Sequence, residues 1–286
     1  MFYGQYTGFV GGGEDPVNLY EAIVTAGLSS NIICCLDAGA SDSYSGSGQT
    51  WADLSSNNFD WFLGSSGSSA TDDPTFNGEA GALTSSEYFS GDGGDYFRYN
   101  TTNESVMEDS KKDNAAHTMI WVLYLPDLDY AANAIFGSRA GAGANNGWEF
   151  ELDGGDNTFQ VVMTDTNGGG PADEWAGGRD GDTAISHSAW HFLAMSHVDP
   201  DAGSSSFFYM DGGYNQVSSA NTWSGAWGSA VSNNSSYTYE LMAAGNAYGA
   251  VQTGWRLACF AWFDQKLTFA EIDTLYSSIG PRFGLS

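Results

Sequence analysis

From Asn31 onward the chain is a succession of short apolar runs, each broken by a cluster of Gly, Asn, Asp or Ser. Runs of that length, bounded by turn residues at such frequent intervals, cannot build a helical bundle and point to a sandwich or barrel of many strands. The clearest are Ile32 to Leu36, Tyr96 to Tyr99, Thr118 to Leu125, Trp148 to Leu152, Phe159 to Thr164, Trp190 to Val198, Ser206 to Met210, Glu240 to Ala244 and Leu257 to Phe263. Both alternating faces of the stretch from Met119 to Leu125 are apolar, which marks a central strand covered on two sides. Between Trp190 and Val198 one face carries Phe192, Ala194, Ser196 and Val198. The other carries His191, Leu193, Met195 and His197, so one side is expected dry and the other partly wet. Asp211-Gly212 and Asp92-Gly-Gly-Asp95 read as hairpin turns. Trp190, Trp255 and Trp262 read as core.

The 38 glycines among 286 residues supply those turns, while Gly plus Pro stays below the level of low-complexity chains. Eight Lys and Arg against 35 Asp and Glu leave a formal charge of −27. That balance excludes nucleic acid and anionic membranes as main partners, because both require cationic side chains. Cys34 and Cys35 are adjacent and would point to opposite faces of a strand, so the three cysteines make no disulfide framework and fit a reducing site of synthesis. No window reaches the ~18 apolar residues of a membrane span, and the first residues lack the cationic start and apolar stretch of a signal peptide. A soluble protein not exported by a classical route is expected.

Residues 1 to 30 differ in character. An aromatic, Gly-punctuated start precedes a helical pattern over Val17 to Ala26 that ends at Gly27, with Asp15 as the expected cap and Pro16 at the first position. This segment is read as an arm that anchors the chain to a partner subunit or folds against its own domain, with residues 31 to 286 forming that domain. A second helix is announced near the end by Thr268-Phe-Ala-Glu271, a capping box, followed by a stripe of Ile272, Leu275, Tyr276 and Ile279 and a stop at Gly280-Pro281.

Several segments then fall into a familiar order. They are Leu36-Asp-Ala-Gly with Tyr44 to Ser55, Phe89-Ser-Gly-Asp-Gly-Gly-Asp-Tyr96-Phe, Trp190-His191, Phe208-Tyr-Met-Asp211-Gly212, and Gly254 to Phe263 with Lys266 to Ile272. Together they resemble the laminin-G-like, concanavalin-A-like lectin and glucanase domains found in tailed-phage structural proteins. The resemblance spans about residues 32 to 279. It implies an all-β jelly-roll sandwich of two antiparallel sheets, flanked by the N-terminal arm with its short helix and the short C-terminal helix. It also implies a virion structural protein, assembled in the host cytoplasm as a homo-oligomer, joined to other virion proteins through its arm and displaying a glycan-binding domain on the virion surface.

The chemistry legible in the residues is sparse. There is no phosphate-binding loop, no Gly-x-Ser-x-Gly elbow, no His-Glu-x-x-His and no Cys-x-x-Cys. His187 and His191 flank a strand start and read as surface or edge residues. Glu149, Glu151 and Asp153 would share one strand face, but laminarinase-type enzymes of the resembled fold use Glu, Asp, Glu at alternate positions and this order is Glu, Glu, Asp. The expectation is therefore a protein without catalytic residues. Calcium is the expected ion, with Asp92, Asp95, Asp153 and Asp156 in Gly-rich turns as carboxylate ligands. Asp180 and Asp182 lie in similar turns, and Asp is favoured in turns for its own local hydrogen bonds as well. Trp175, Trp223 and Trp227 lie in polar, Gly- and Ser-rich segments, where an aromatic face would stack on a sugar ring. The alternative for these tryptophans is a subunit contact in a cement or decoration protein, and a third reading is a divergent glycosidase.

Overall fold

The computed structural model describes residues 16–99, 116–126, 133–138, 147–153, 158–165, 173–175, 185–198, 207–216, 238–245, 247 and 249–286. The described strands are β1 (Ile32–Asp37), β2 (Thr50–Trp51), β3 (Trp61–Leu63), β4 (Thr75–Asn77), β5 (Tyr88–Ser90), β6 (Phe97–Tyr99), β7 (Ala116–Leu125) and β8 (Asn133–Gly137). They continue as β9 (Gly147–Asp153), β10 (Thr158–Asp165), β11 (Asp173–Trp175), β12 (Ala189–Val198), β13 (Phe207–Met210), β14 (Gly213–Gln216), β15 (Glu240–Leu241) and β16 (Arg256–Phe263). Two helices, α1 (Leu19–Thr25) and α2 (Phe269–Ile279), complete the described elements together with short 3-10 turns.

The strands form two eight-stranded antiparallel sheets. Sheet I runs β14-β13-β12-β7-β16-β5-β4 with β1 also paired to β16, and sheet II runs β11-β10-β9-β8-β15-β6-β3-β2. The nine runs expected from apolar patterning all contain strands. The additional ones are mostly two or three residues long, too short to show a period of their own.

Side-chain alternation sorts the core into two layers. Trp121, Phe260 and Trp262 of sheet I meet Trp61, Phe97, Phe136 and Phe150 of sheet II in the inter-sheet core, with the rings of Trp121 and Phe136 6.4 Å apart. On the other face of sheet I, Ile120, Val122, Phe192, Ala194, Cys259 and Ala261 pack against Leu19 and Ile23 of α1 and Ile272, Leu275 and Ile279 of α2. Sheet I is thus the middle layer of three, which is why β7 is apolar on both faces. It also corrects the partly wet face expected for β12: His191, Leu193, Met195 and His197 are all buried. The polar residues of the helix-facing side are consumed in holding the approach to α2. Ser196 Oγ donates to the Leu267 carbonyl at 2.6 Å, and Thr118 Oγ1 accepts from Leu267 N at 2.8 Å.

Both helices carry capping boxes. Thr268 and Glu271 cap α2 as expected. For α1 the cap is Asn18, whose Oδ1 accepts from Glu21 N at 2.9 Å while Glu21 Oε2 accepts from Asn18 N at 3.0 Å. The expected cap, Asp15, lies outside the described residues. Because Leu19 and Ile23 are fully buried, residues 19–25 belong to the packed domain, which leaves only residues 1–15 of the expected arm outside the description.

Asp211-Gly212 forms the tight β13–β14 turn, with φ of +48° and +84° and Met210 paired to Gly213. Asp92 to Asp95 does not close a hairpin. It carries the chain from β5 in sheet I to β6 in sheet II.

Candidate ligand-binding surface

Strand register assembles a cluster on the helix-facing side of sheet I that the sequence scatters over 168 positions. Trp190 pairs with Tyr124 and Tyr124 with Arg256, so three side chains stand in one cross-strand row. Tyr88 joins from β5. The Trp190 ring meets Tyr88 edge-on at 5.7 Å and Tyr124 edge-on at 5.7 Å, and packs on Phe283 at 4.9 Å. The Arg256 guanidinium carbon lies 4.2 Å from the Tyr124 ring centroid and 4.7 Å from that of Tyr88. All four residues are partly exposed, whereas Val122 and Phe192, two residues further along the same strands, are fully buried. The helical cover therefore gives way to an open aromatic surface with a cation set among its rings. Trp190 was expected in the core. It escapes complete burial because it starts its strand at the edge of that cover.

A second, polar group joins the neighbouring strands β6 and β15 of sheet II. Arg98 donates from Nε at 3.0 Å and from Nη2 at 2.7 Å to Glu240 Oε1, and its Nη2 also reaches Tyr96 Oη at 3.2 Å. Glu240 Oε2 accepts from Ala247 N at 2.7 Å. Burial pushes the Tyr96 phenol up to about 12, with the Asp72 and Glu240 charges adding to it. Burial would also raise Asp72, but hydrogen bonds from Ser65 and Tyr96 win and hold it below the usual carboxylate range. Asp95 is 2% exposed. Its Oδ2 accepts from Asp92 N at 3.0 Å, and its buried Oδ1 meets no donor. Burial, reinforced by the charges of Asp92 and Asp72, raises its carboxyl to about 6.

Of the four calcium candidates, Asp92 and Asp95 share this one turn. The side chain of Asp153, at the end of β9, and the whole of Asp156 lie outside the described residues, as do Asp180 and Asp182. Among the described residues no set of three or more His, Cys, Asp or Glu side chains converges as a metal site.

Glu149 and Glu151 alternate along β9 with the core residues Phe150 and Leu152, so they occupy the sheet II face opposite the core, as their spacing predicted. Glu149 stands in register with Gly137, and Gly137 with Glu240. All three glutamates are buried, Glu149 and Glu240 completely.

Trp223 and Trp227 lie outside the described residues. The backbone of Trp175 does not sit in a loop: it ends the edge strand β11, opposite Met163 of β10.

His191 is buried and not a surface residue. Its Nδ1 is 2.6 Å from Asp211 Oδ2, and its Nε2 is 2.9 Å from the Ser186 carbonyl oxygen and 3.3 Å from Ser186 Oγ. This has the residue types of a nucleophile, base and orienting acid. A carbonyl oxygen can only accept, however, so an Nε2 that bonds the Ser186 carbonyl is a donor in that contact, and a donating Nε2 has no lone pair to offer the serine hydroxyl. The contacts brace residues 186–191 against the β13–β14 turn. His187 is exposed.

Sequence reasoning missed Tyr88, Tyr124 and Arg256. The available signal was Arg256 itself, a rare cation opening an otherwise apolar strand.

The sequence matches no protein-family model and no curated protein. Among solved structures, the fold resembles Trypanosoma rangeli sialidase, with a TM-score of 0.52 and 11% identity over 89% of this chain and 34% of that one. It also resembles the botulinum neurotoxin serotype D binding domain, with a TM-score of 0.54 and 13% identity over 87% of this chain and 52% of that one. A third is the receptor binding domain of the botulinum neurotoxin C/D mosaic serotype, with a TM-score of 0.51 and 12% identity over 87% and 51%. This chain spans about a third of the sialidase and about half of the neurotoxin domains. At such identities the likeness establishes the fold, an all-β sandwich of two antiparallel sheets, with two short helices among the described residues.

Proposed function

We propose that this chain is a non-catalytic carbohydrate-binding module. The observation that carries the reading is the partly exposed trio Tyr88, Tyr124 and Trp190, held by strand register on the sheet. Sugar rings present apolar C–H faces that stack on aromatic rings, and their hydroxyls take hydrogen bonds at the edges of such a platform. Two of the solved structures with this fold are a sialidase in complex with sialic acid and a neurotoxin receptor binding domain, which supports a role in recognition. Binding is favoured over hydrolysis because Glu149, one of the paired acids on β9, is fully buried and because the order Glu, Glu, Asp departs from the enzyme pattern.

The setting we propose is the surface of a virion, where the N-terminal segment would contact neighbouring proteins. This rests on the sequence resemblance to phage domains. The location and copy number of the chain in purified particles test it. For recognition itself, a glycan array probed with and without calcium is decisive. Wild-type protein is expected to bind a restricted set of glycans, and Trp190→Ala and Tyr124→Ala to bind at least tenfold more weakly while still folded by circular dichroism. An array with no binding in either condition removes the proposal. Binding undiminished in both variants removes this surface. The competing reading, a cement protein, predicts that Trp190 becomes buried against a neighbouring subunit in the assembled particle.

A further inference from the structure

We infer that the glycan recognised by this surface carries a carboxylate, and that Arg256 is the residue that reads it. The inference rests on the carbohydrate-binding reading and adds the ligand's chemical class.

The first observation is what Arg256 lacks. In a chain with 35 acidic and eight basic residues, a guanidinium should seldom want for a carboxylate. Arg98 is bonded to Glu240 and Arg282 to Asp37. By contrast, among the described residues no carboxylate or carbonyl meets the Arg256 guanidinium, whose only side-chain partners are the rings of Tyr88 and Tyr124.

The second is what those rings do. A cation held over aromatic faces keeps its charge and all of its N–H donors. Clamped between two strands it has also lost most of its side-chain freedom before any ligand arrives, which lowers the cost of binding. A planar fork of fixed donors matches a planar carboxylate, which accepts two parallel hydrogen bonds from it.

The third is spacing. Trp190, Tyr124 and Arg256 stand on adjacent strands, so about 10 Å separates the first from the last. A sugar ring stacked on the tryptophan and tyrosine end would place an exocyclic acid group over the guanidinium. A neutral sugar in that position would cover the same cation and leave it unpaired, which is the kind of mismatch from which sites draw discrimination. The net charge of −27 opposes the approach of an anion from a distance, but at about 0.15 M salt that field is screened beyond about 8 Å, and the local guanidinium decides.

The test uses the full chain and matched glycan pairs in 0.15 M salt: glucuronate-terminated against glucose-terminated oligosaccharides, and sialylated against desialylated ones, with sulfated analogues as a third arm. Wild-type protein is expected to prefer the acidic member of at least one pair by tenfold or more. Arg256→Gln should erase that preference, read as the ratio of acidic to neutral affinity, and Arg256→Lys should keep part of it. A purely structural arginine would shift melting temperature in both variants without altering the ratio. Should either variant fail to fold, the wild-type ratio alone still decides. Equal or tighter binding of the neutral members overturns the carboxylate inference while the carbohydrate reading survives. Binding confined to sulfated glycans overturns it as well, in favour of a different anion. Failure of wild type to bind any member of any pair defeats the underlying reading.

Discussion

Arg282 Nη1 lies 2.9 Å from Oδ1 and 2.8 Å from Oδ2 of Asp37, a partner 245 positions away in sequence, with both side chains nearly inaccessible. The contact is a junction as much as an ion pair. Asp37 also accepts from Leu19 N at 2.9 Å, at the start of α1, and from Gly39 N at 2.8 Å. Arg282 donates from Nε to the Thr84 carbonyl at 2.9 Å. One buried pair therefore ties the N-terminal helix, strand β1, the loop before β5 and the C-terminal turn together. Its position also explains Gly39, where a Cβ would collide with the Arg282 guanidinium.

Removing the cation leaves a buried carboxylate with two backbone donors and no countercharge. Arg282→Met is expected to cost about 3–5 kcal/mol. Urea unfolding at pH 7 measures it, and a loss below about 1 kcal/mol would mean that the pair is not the junction described.

His117 and His197 face each other across β7 and β12, with ring centroids 4.9 Å apart. Burial pushes both imidazoles down. His197 falls to about 3, with the Lys266 charge adding to burial, and His117 falls well below its usual value, with His197 adding. Unfolded histidine takes up a proton near pH 6.5, while the folded chain refuses it. Stability is thus fully present above about pH 6.5 and is lost as pH falls from there toward 3. Unfolding of wild type and His197→Leu should diverge between pH 6.5 and 4, with the shallower acid limb in the variant. Parallel curves would exclude the pair as a source of acid sensitivity.

Asp95 works in the opposite sense. Its folded value of about 6 lies above the ~3.9 of an unfolded aspartate. The stability it contributes is fully present below about pH 3.9 and is lost as pH rises through 6. Asp95→Asn keeps an oxygen for Asp92 N and removes the charge. It should unfold at higher urea than wild type at pH 8, with the advantage shrinking toward pH 4. An advantage that does not change with pH would point to packing instead.

Thr268 Oγ1 accepts from Glu271 N at 3.3 Å, and Glu271 Oε2 accepts from Thr268 N at 2.7 Å. Since α2 covers the outer face of sheet I, its first turn matters to the whole domain. Thr268→Ala is expected to cost about 1 kcal/mol and Thr268→Ser a small fraction of that, read from the shift in denaturation midpoint at unchanged slope.

Much of the fold was legible because it is written in local periodicity. The run from Met119 to Leu125 shows a strand apolar on both faces without any structure, and Thr268 to Glu271 with its apolar stripe shows a capped helix. Strands β2 to β5 were not legible, since two or three residues such as Thr50-Trp51 carry no measurable alternation. The wet face expected for β12 failed for a different reason. Local pattern registers polarity, but His191 is buried on Asp211 and the Ser186 carbonyl, and His197 is buried against His117.

Composition, turn chemistry and apolar alternation by themselves determined an acidic, many-stranded β domain ending in a helix, because each of those signals acts over a few neighbouring residues. Only the tertiary structure decided which side chains stand together. Trp190, Tyr124 and Arg256 are separate positions until strand pairing sets them in one row, with Tyr88 beside them from β5, and Asp37 meets Arg282 only when the two ends of the chain close on the same sheet. Register is a long-range property of paired backbones, so no window of sequence contains it.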